Sequence, residues 1–398
     1  MTSITNEQSK MKFIDLFCGI GGFHQALGSL GHECILASDK DKKCRESYER
    51  NYKMKPNEDV YKIDEKTMGD FDILCGGFPC QPFSNGGKKK TFDDDRGLLF
   101  DEIIRIAKHK KPRFMFLENV KHILKVGNGE VIKYIKEKLD KTGYHLQMQV
   151  MSPHHFGIPQ QRERVYFICI RKDIYDGTDV ELKIPDSTPI ELEKFMQKKE
   201  EVDERYFVKG IELDVLKAWN EMINAFEVDE RISPTILIND EYRNYSLEEY
   251  EKLAAWRKDY MEKNQRLITK YRNKFDEWYK KHKTILLRRE IYGKLEWQVG
   301  RIKPNDSIFN YFIQMRQSGI RVKKAEYFPT LVAMAQIPIY GKQMRRITPR
   351  ECARLQSFPE SFILDESDQV NYKQFGNSVN VDNVKFIIEN TLKHYNLV

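Results

Sequence analysis

No apolar run in this 398-residue chain approaches the roughly 20 residues a membrane-spanning helix needs, and the mean hydropathy is −0.64. Cysteine is scarce: seven residues, at positions 18, 34, 44, 75, 80, 169 and 352, an odd number with no CxxC pair. A disulfide framework or a cysteine-ligated zinc site is therefore not expected. Residues 1–12 lack the apolar core of a secretory signal, which predicts an intracellular, cytoplasmic protein. Neither sign of charge dominates, because 67 Lys and Arg stand against 60 Asp and Glu, and the net +7 suits a polyanionic partner without requiring one. Internal repeats and low-complexity tracts are also missing. What is present is 40% hydrophobic and 12% aromatic residues, enough for a sizeable core in one large domain or two unequal ones.

Residues 13–17, 34–37, 71–75 and 114–117 read as short buried strands. Between them, residues 23–30, 42–52 and 97–109 place apolar side chains at three- and four-residue intervals. This βα order predicts a parallel sheet covered on both faces. Residues 127–141 read as a further crossover helix, and 146–151 and 165–170 as strands that extend the sheet and complete an α/β domain near residue 171. From 172 to about 341 the rhythm is lost, and a second, smaller domain is expected there. In residues 247–283, Leu253, Trp256, Tyr260, Leu267, Tyr271, Phe275 and Trp278 recur at helical spacing. They suit one or two amphipathic helices over a local core, or a nucleic-acid stacking surface.

Four segments carry chemistry. DLFCGIGG (residues 15–22) follows a strand and opens a helix, where backbone amides can hold a ligand; His24 stands where a dinucleotide fingerprint needs its third glycine, and Asp39 follows the next strand, placed to accept from a ribose diol. GGFPCQPFS (76–84) begins at the carboxyl edge of a strand and holds Cys80 between Pro79 and Pro82, which fixes the direction of the thiol; the alternatives are a nucleophile and an inert buried cysteine. FLENV (116–120) ends a strand with Glu118 on the same rim, as an acid/base group or a capping or ion-pairing carboxylate. QQRERV (160–165) opens another strand whose alternation puts Arg162 and Arg164 on one face, suited to phosphate or a polar base edge.

In this order and spacing the segments, together with RRITPRECARLQSFP (345–359) and KQFGNSV (373–379), resemble the DNA (cytosine-5) methyltransferases of bacterial or viral restriction-modification type. The resemblance implies a Rossmann-like α/β S-adenosylmethionine-dependent methyltransferase sheet with a second, smaller target-recognition domain. Residues 1–185 and 371–398 would form the catalytic domain and 186–370 the recognition domain, with a helical charged segment near 247–283. Cys80 would add to carbon 6 of a flipped-out cytosine, Glu118 would hydrogen-bond or protonate N3, Arg164 would orient the base, and Arg162 would support the loop or its contacts.

The same resemblance maps Phe17, Gly19, Gly21, Gly22, Asp39, Asp59, Pro79, Leu99, Asn377, Ser378 and Val379 onto the pocket for S-adenosylmethionine, released as S-adenosylhomocysteine, with no metal. Lys40 stands where many members carry an aromatic residue. Ser84, Lys88, Lys89 and Lys90, in a closing loop, and Thr330 would meet DNA. The implied partners are double-stranded DNA and a restriction endonuclease acting on the same site, with no membrane and a monomeric enzyme. Two rivals stay open: transfer RNA as the methylated substrate, and a DNA-binding regulator on a decayed methyltransferase. The long stretch between the arginine strand and ITPREC favours a duplex reader, and the intact Cys80, Glu118, Arg162 and Arg164 favour an enzyme.

Overall fold

The computed structural model describes residues 10–79, 99–185, 188–225, 232–301, 306–331 and 336–397. The chain divides into two units: Met1–Phe195, Thr330–Ala333 and Pro349–Val398 form the first, and Met196–Pro329 with Met334–Thr348 the second. The chain thus rejoins the first unit briefly at Thr330–Ala333 and again from Pro349, ahead of the residue 371 expected from the sequence. No helix among the described residues is long and apolar enough to cross a membrane.

The first unit is built on six strands: β1 (Lys12–Leu16), β2 (Glu33–Ser38), β3 (Ile73–Gly77), β4 (Phe114–Val120), β5 (Tyr144–Met151) and β6 (Arg164–Arg171), in the order β2-β1-β3-β4-β6-β5. Strands β1 to β4 pair in parallel, as the βα rhythm predicts. Strand β6 is antiparallel to both neighbours, because β5 reaches it through a short connection rather than a crossover helix.

Alternation along β1 and β4 gives each sheet face its own core. Ile14, Leu16, Met115 and Leu117 pack with Ile103, Ile106, Ile135 and Leu139, from the helices Leu99–Lys110 and Glu130–Thr142. On the other face Phe13 meets His24 edge-on, with ring centroids 5.6 Å apart, and Phe114 meets Tyr395 at 5.5 Å. The helices Gly22–Ser29 and Val381–His394 pack together there. Parallel strand ends and helix starts consequently share one edge of the sheet, where open α/β sheets bind ligands.

The second unit holds a sheet that periodicity did not predict: β7 (Ile232–Leu237), β8 (Lys294–Trp297), β9 (Phe312–Arg316), β10 (Gly319–Lys323), β11 (Ile339–Tyr340) and β12 (Arg345–Arg346), ordered β12-β11-β9-β10-β8-β7. Residues 247–283 form three helices, Leu247–Glu251, Ala255–Lys270 and Arg272–Leu286. Their aromatic stripe divides. Phe275 and Trp278 are buried in the core with Ile268, whereas Trp256 stays 52% exposed. Trp219 and Trp278 meet at 4.9 Å, and each indole N–H finds a backbone carbonyl, Tyr292 O at 2.8 Å and Ala218 O at 2.7 Å. Buried indoles with satisfied donors make this contact the anchor of the unit. Trp219→Ala is expected to destabilise the second unit by about 3–5 kcal/mol, read as a lowered midpoint in urea unfolding.

Candidate active site

The turn after β1 is left-handed at three positions: Phe17, Gly19 and Gly21 have φ of +55°, +53° and +84°. Such a conformation costs a residue with a Cβ roughly 1–2 kcal/mol. Space excludes a side chain at Gly21 as well, since a Cβ there would lie 2.2 Å from Tyr52 Cε2. The Tyr52 hydroxyl lies within hydrogen-bonding reach of the Ile20 and Gly21 carbonyls, at 3.2 and 3.0 Å, and its ring stacks on His24 with centroids 4.0 Å apart. A Cβ on Gly22 would lie 2.5 Å from Val379 Cγ2, so the Ser378–Val379 segment sits directly on the turn. At Gly19 nothing lies within 4 Å of a Cβ position, and the space stays open.

Asp39 joins the turn through its side chain, accepting from the Gly19 amide at 2.8 Å on one oxygen and from the Asp41 amide at 2.8 Å on the other. Burial raises its pKa, and these two amides pull the other way. Asp59 lies two residues past Asn57, which is zipped to the end of β2, and accepts from Tyr61 N at 3.0 Å to cap the turn Val60–Lys62. Leu99 is the half-buried first residue of its helix, while Pro79, Asn377 and Lys40 are exposed. Asp15, which sequence reasoning passed over, is wholly buried in β1; burial first, and Asp39 second, hold its carboxyl well above the usual range.

Glu118 stands near the end of β4, opposite Gly77 of β3 and Tyr166 of β6. Its carboxylate is buried and lies 3.1 Å from Arg164 Nε. Burial raises the Glu118 pKa, with Arg164 and then Arg162 opposing. The neighbouring Asn119 donates from Nδ2 to Phe78 O at 2.9 Å and accepts from Val120 N at 2.8 Å. It thereby fixes the backbone two residues before Cys80. Cys80 itself, with Ser84, Lys88, Lys89 and Lys90, lies outside the described residues.

Arg162, expected in the catalytic set, has a different position. Its guanidinium is buried and donates to three backbone carbonyls: Leu331 O at 2.8 Å, Gly376 O at 3.0 Å and Ser378 O at 2.9 Å. Burial and the repulsion of Arg164 lower its pKa to about 9, against Glu118. Arg162 thus braces the backbone at these three carbonyls, in keeping with the supporting role expected of it. Gln160 works beside it, donating to Leu355 O at 2.8 Å and accepting from Leu331 N. Thr330 gives its hydroxyl proton to Gln161 O at 2.6 Å, so a phosphate contact would require it to leave that carbonyl. Tyr52 and Gln160 were not singled out from the sequence, where each reads as an ordinary helix or strand-entry residue.

Comparisons with known proteins identify the family. A family model described as C-5 cytosine-specific DNA methylase matches residues 11–393, and the chain belongs to that family. It is 32% identical to the Type II methyltransferase M.HhaI of Haemophilus parahaemolyticus over 98% of this chain and 97% of that one. It is 30% identical to M.BanI of Aneurinibacillus aneurinilyticus over 97% and 96%. Among solved structures, the Dnmt2 methyltransferase of S. pombe aligns with a TM-score of 0.54 at 20% identity, covering 97% of this chain and all of that one. The Entamoeba histolytica methyltransferase EhMeth aligns at 0.56 and 20%, covering 97% and 99%. The protein is a DNA (cytosine-5) methyltransferase, and its fold is that of the methyltransferases that draw on S-adenosylmethionine.

Two outcomes are expected. Arg162→Lys, which cannot reach three carbonyls, should lower stability by about 2–4 kcal/mol in chemical unfolding. Arg164→Met removes the first of the two cations holding the Glu118 carboxyl down, so its titration, followed by carbon-13 NMR, should move to higher pH.

Proposed function

We propose that the chain methylates carbon 5 of a cytosine rotated out of a specific short duplex DNA sequence, as the modification enzyme of a restriction-modification system. The observation that carries this reading is the buried Glu118–Arg164 pair, one strand away from the β3 end that leads into Cys80. Carbon 5 of cytosine is a weak nucleophile until the ring is activated. The Cys80 thiolate adds to carbon 6, and electron density moves toward N3 and carbon 5. Glu118, with its raised pKa, donates a hydrogen bond or its proton at N3 and stabilises that charge. Arg164 holds the Glu118 carboxyl and orients the base. Once carbon 5 carries the methyl group, loss of its hydrogen as a proton to solvent and expulsion of the thiolate from carbon 6 restore the ring and free Cys80.

S-adenosylmethionine supplies the methyl group as an electrophile on its sulfonium sulfur. The turn after β1 suits that molecule: space is open over Gly19, and the Asp39 carboxylate keeps lone pairs for a ribose diol. Phe17, Gly21, Gly22, Asp59, Pro79, Leu99, Asn377, Ser378 and Val379 complete the proposed pocket. The second unit is the proposed target reader, while Ser84 and Lys88 to Lys90 follow the phosphate backbone. Rotating the base out costs roughly a few kcal/mol, which contacts to the bent-open duplex must offset.

The test is to incubate the protein, and its Cys80→Ser variant, with S-adenosylmethionine and unmethylated genomic DNA, and to map 5-methylcytosine by base-conversion sequencing. A mark confined to one short motif and absent with the variant is the expected result. No mark in DNA, or an equal mark with both proteins, overturns the reading.

A further inference from the structure

Strands β8, β9 and β10 send Leu295, Trp297, Ile313, Ile320 and Val322 into the core of the second unit. Alternation therefore puts Glu296, Gln314, Arg316, Arg321 and Lys323 on the opposite face. The register sets Arg321 beside Glu296 on one side and Gln314 on the other. One oxygen of Glu296, Oε2, accepts from Arg321 Nε at 2.9 Å and from Arg316 Nη2, while Oε1 accepts from Gln298. Two arginines thus share one carboxylate oxygen. Burial, and next the charge of Arg321, hold the Lys323 ammonium below its usual range, as crowding of like charges requires.

Glu296 grips Arg321 by its Nε edge. Among the described residues Nη1 and Nη2 of Arg321 make no hydrogen bond, and the side chain is 29% exposed. Held this way, the guanidinium offers two N–H donors in a fixed fork. A fork of this kind fits two oxygens of a phosphate as well as a base edge, but a phosphate contact gains most from full positive charge. A carboxylate that cancels part of the charge while fixing the fork suits a planar pair of acceptors. Guanine presents such a pair, O6 and N7, in the major groove. Any duplex with a cytosine to modify carries a guanine by base pairing. We propose that Arg321, buttressed by Glu296 and Arg316, reads a guanine of the target sequence; this inference rests on the duplex-DNA reading above.

The test uses the full chain and its mapped target, with 7-deazaguanine replacing each guanine in turn, which removes N7 and leaves the phosphates unchanged. One such replacement is expected to lower wild-type kcat/KM by about tenfold or more. Arg321→Lys, which keeps the charge and loses the fork, should fall by a similar factor on the unmodified duplex and lose nothing further on the replaced one. Glu296→Gln, which loosens the fork without removing it, should show a smaller loss at the same guanine, and it keeps the test open if Arg321→Lys fails to fold. Variants as sensitive as wild type to every replacement, or weakened equally on target and unrelated duplexes, overturn the proposal in favour of a phosphate contact. A wild-type protein that modifies no duplex overturns the parent reading as well.

Discussion

A buried guanidinium must find acceptors for its donors or forfeit its hydration, and that demand organises this part of the first unit around Arg162. Its three carbonyl partners lie 169 to 216 residues further along the chain. The cation would be stranded without them. Gln160 and Thr330 add bonds on either side of the same knot. The strand entry at 160–162, the return at 330–331 and the segment 376–378 therefore share one arrangement, and the last of these carries Val379 onto the glycine turn.

The same side chain also reaches the acid electrostatically. Burial raises the Glu118 pKa; Arg164 provides the larger opposing field and Arg162 the smaller. Geometry and acidity are thereby tied together. A shift of the 376–378 segment that moved Arg162 would alter the charge state available at the end of β4, even though that segment does not touch Glu118.

Much of the first unit was legible because its strands are buried on both faces and its helices are amphipathic, so both periodicities are strong. The 42–52 helix was read at its observed bounds, Lys42–Tyr52. The reversal of β6 was not legible, since an apolar run such as Val165 to Ile170 carries no direction. The second sheet escaped because its strands are two to six residues long and several of them pair across long stretches of chain, leaving too little sequence for a period of two to appear. At the site, the left-handed turn announced itself through its glycines, and Glu118 and Arg164 through their position at strand ends. The bracing role of Arg162 did not, because the carbonyls that define it belong to residues whose identity is irrelevant to the bond. Asp15 was equally silent: a carboxyl in an apolar strand reads as a strand boundary until its burial is seen.

The helix Gly22–Ser29 rests on Val381–His394, and the turn before it is covered by Ser378 and Val379. A chain emerging from the ribosome makes the first of these early and the second only after some 350 further residues, an interval of tens of seconds at about 5–20 residues per second. Until then the helix Gly22–Ser29 lacks that neighbour, and the turn has Tyr52 beside it but not Ser378 and Val379. The order of synthesis thus leaves the glycine turn without its last covering segment until the second unit has already been made.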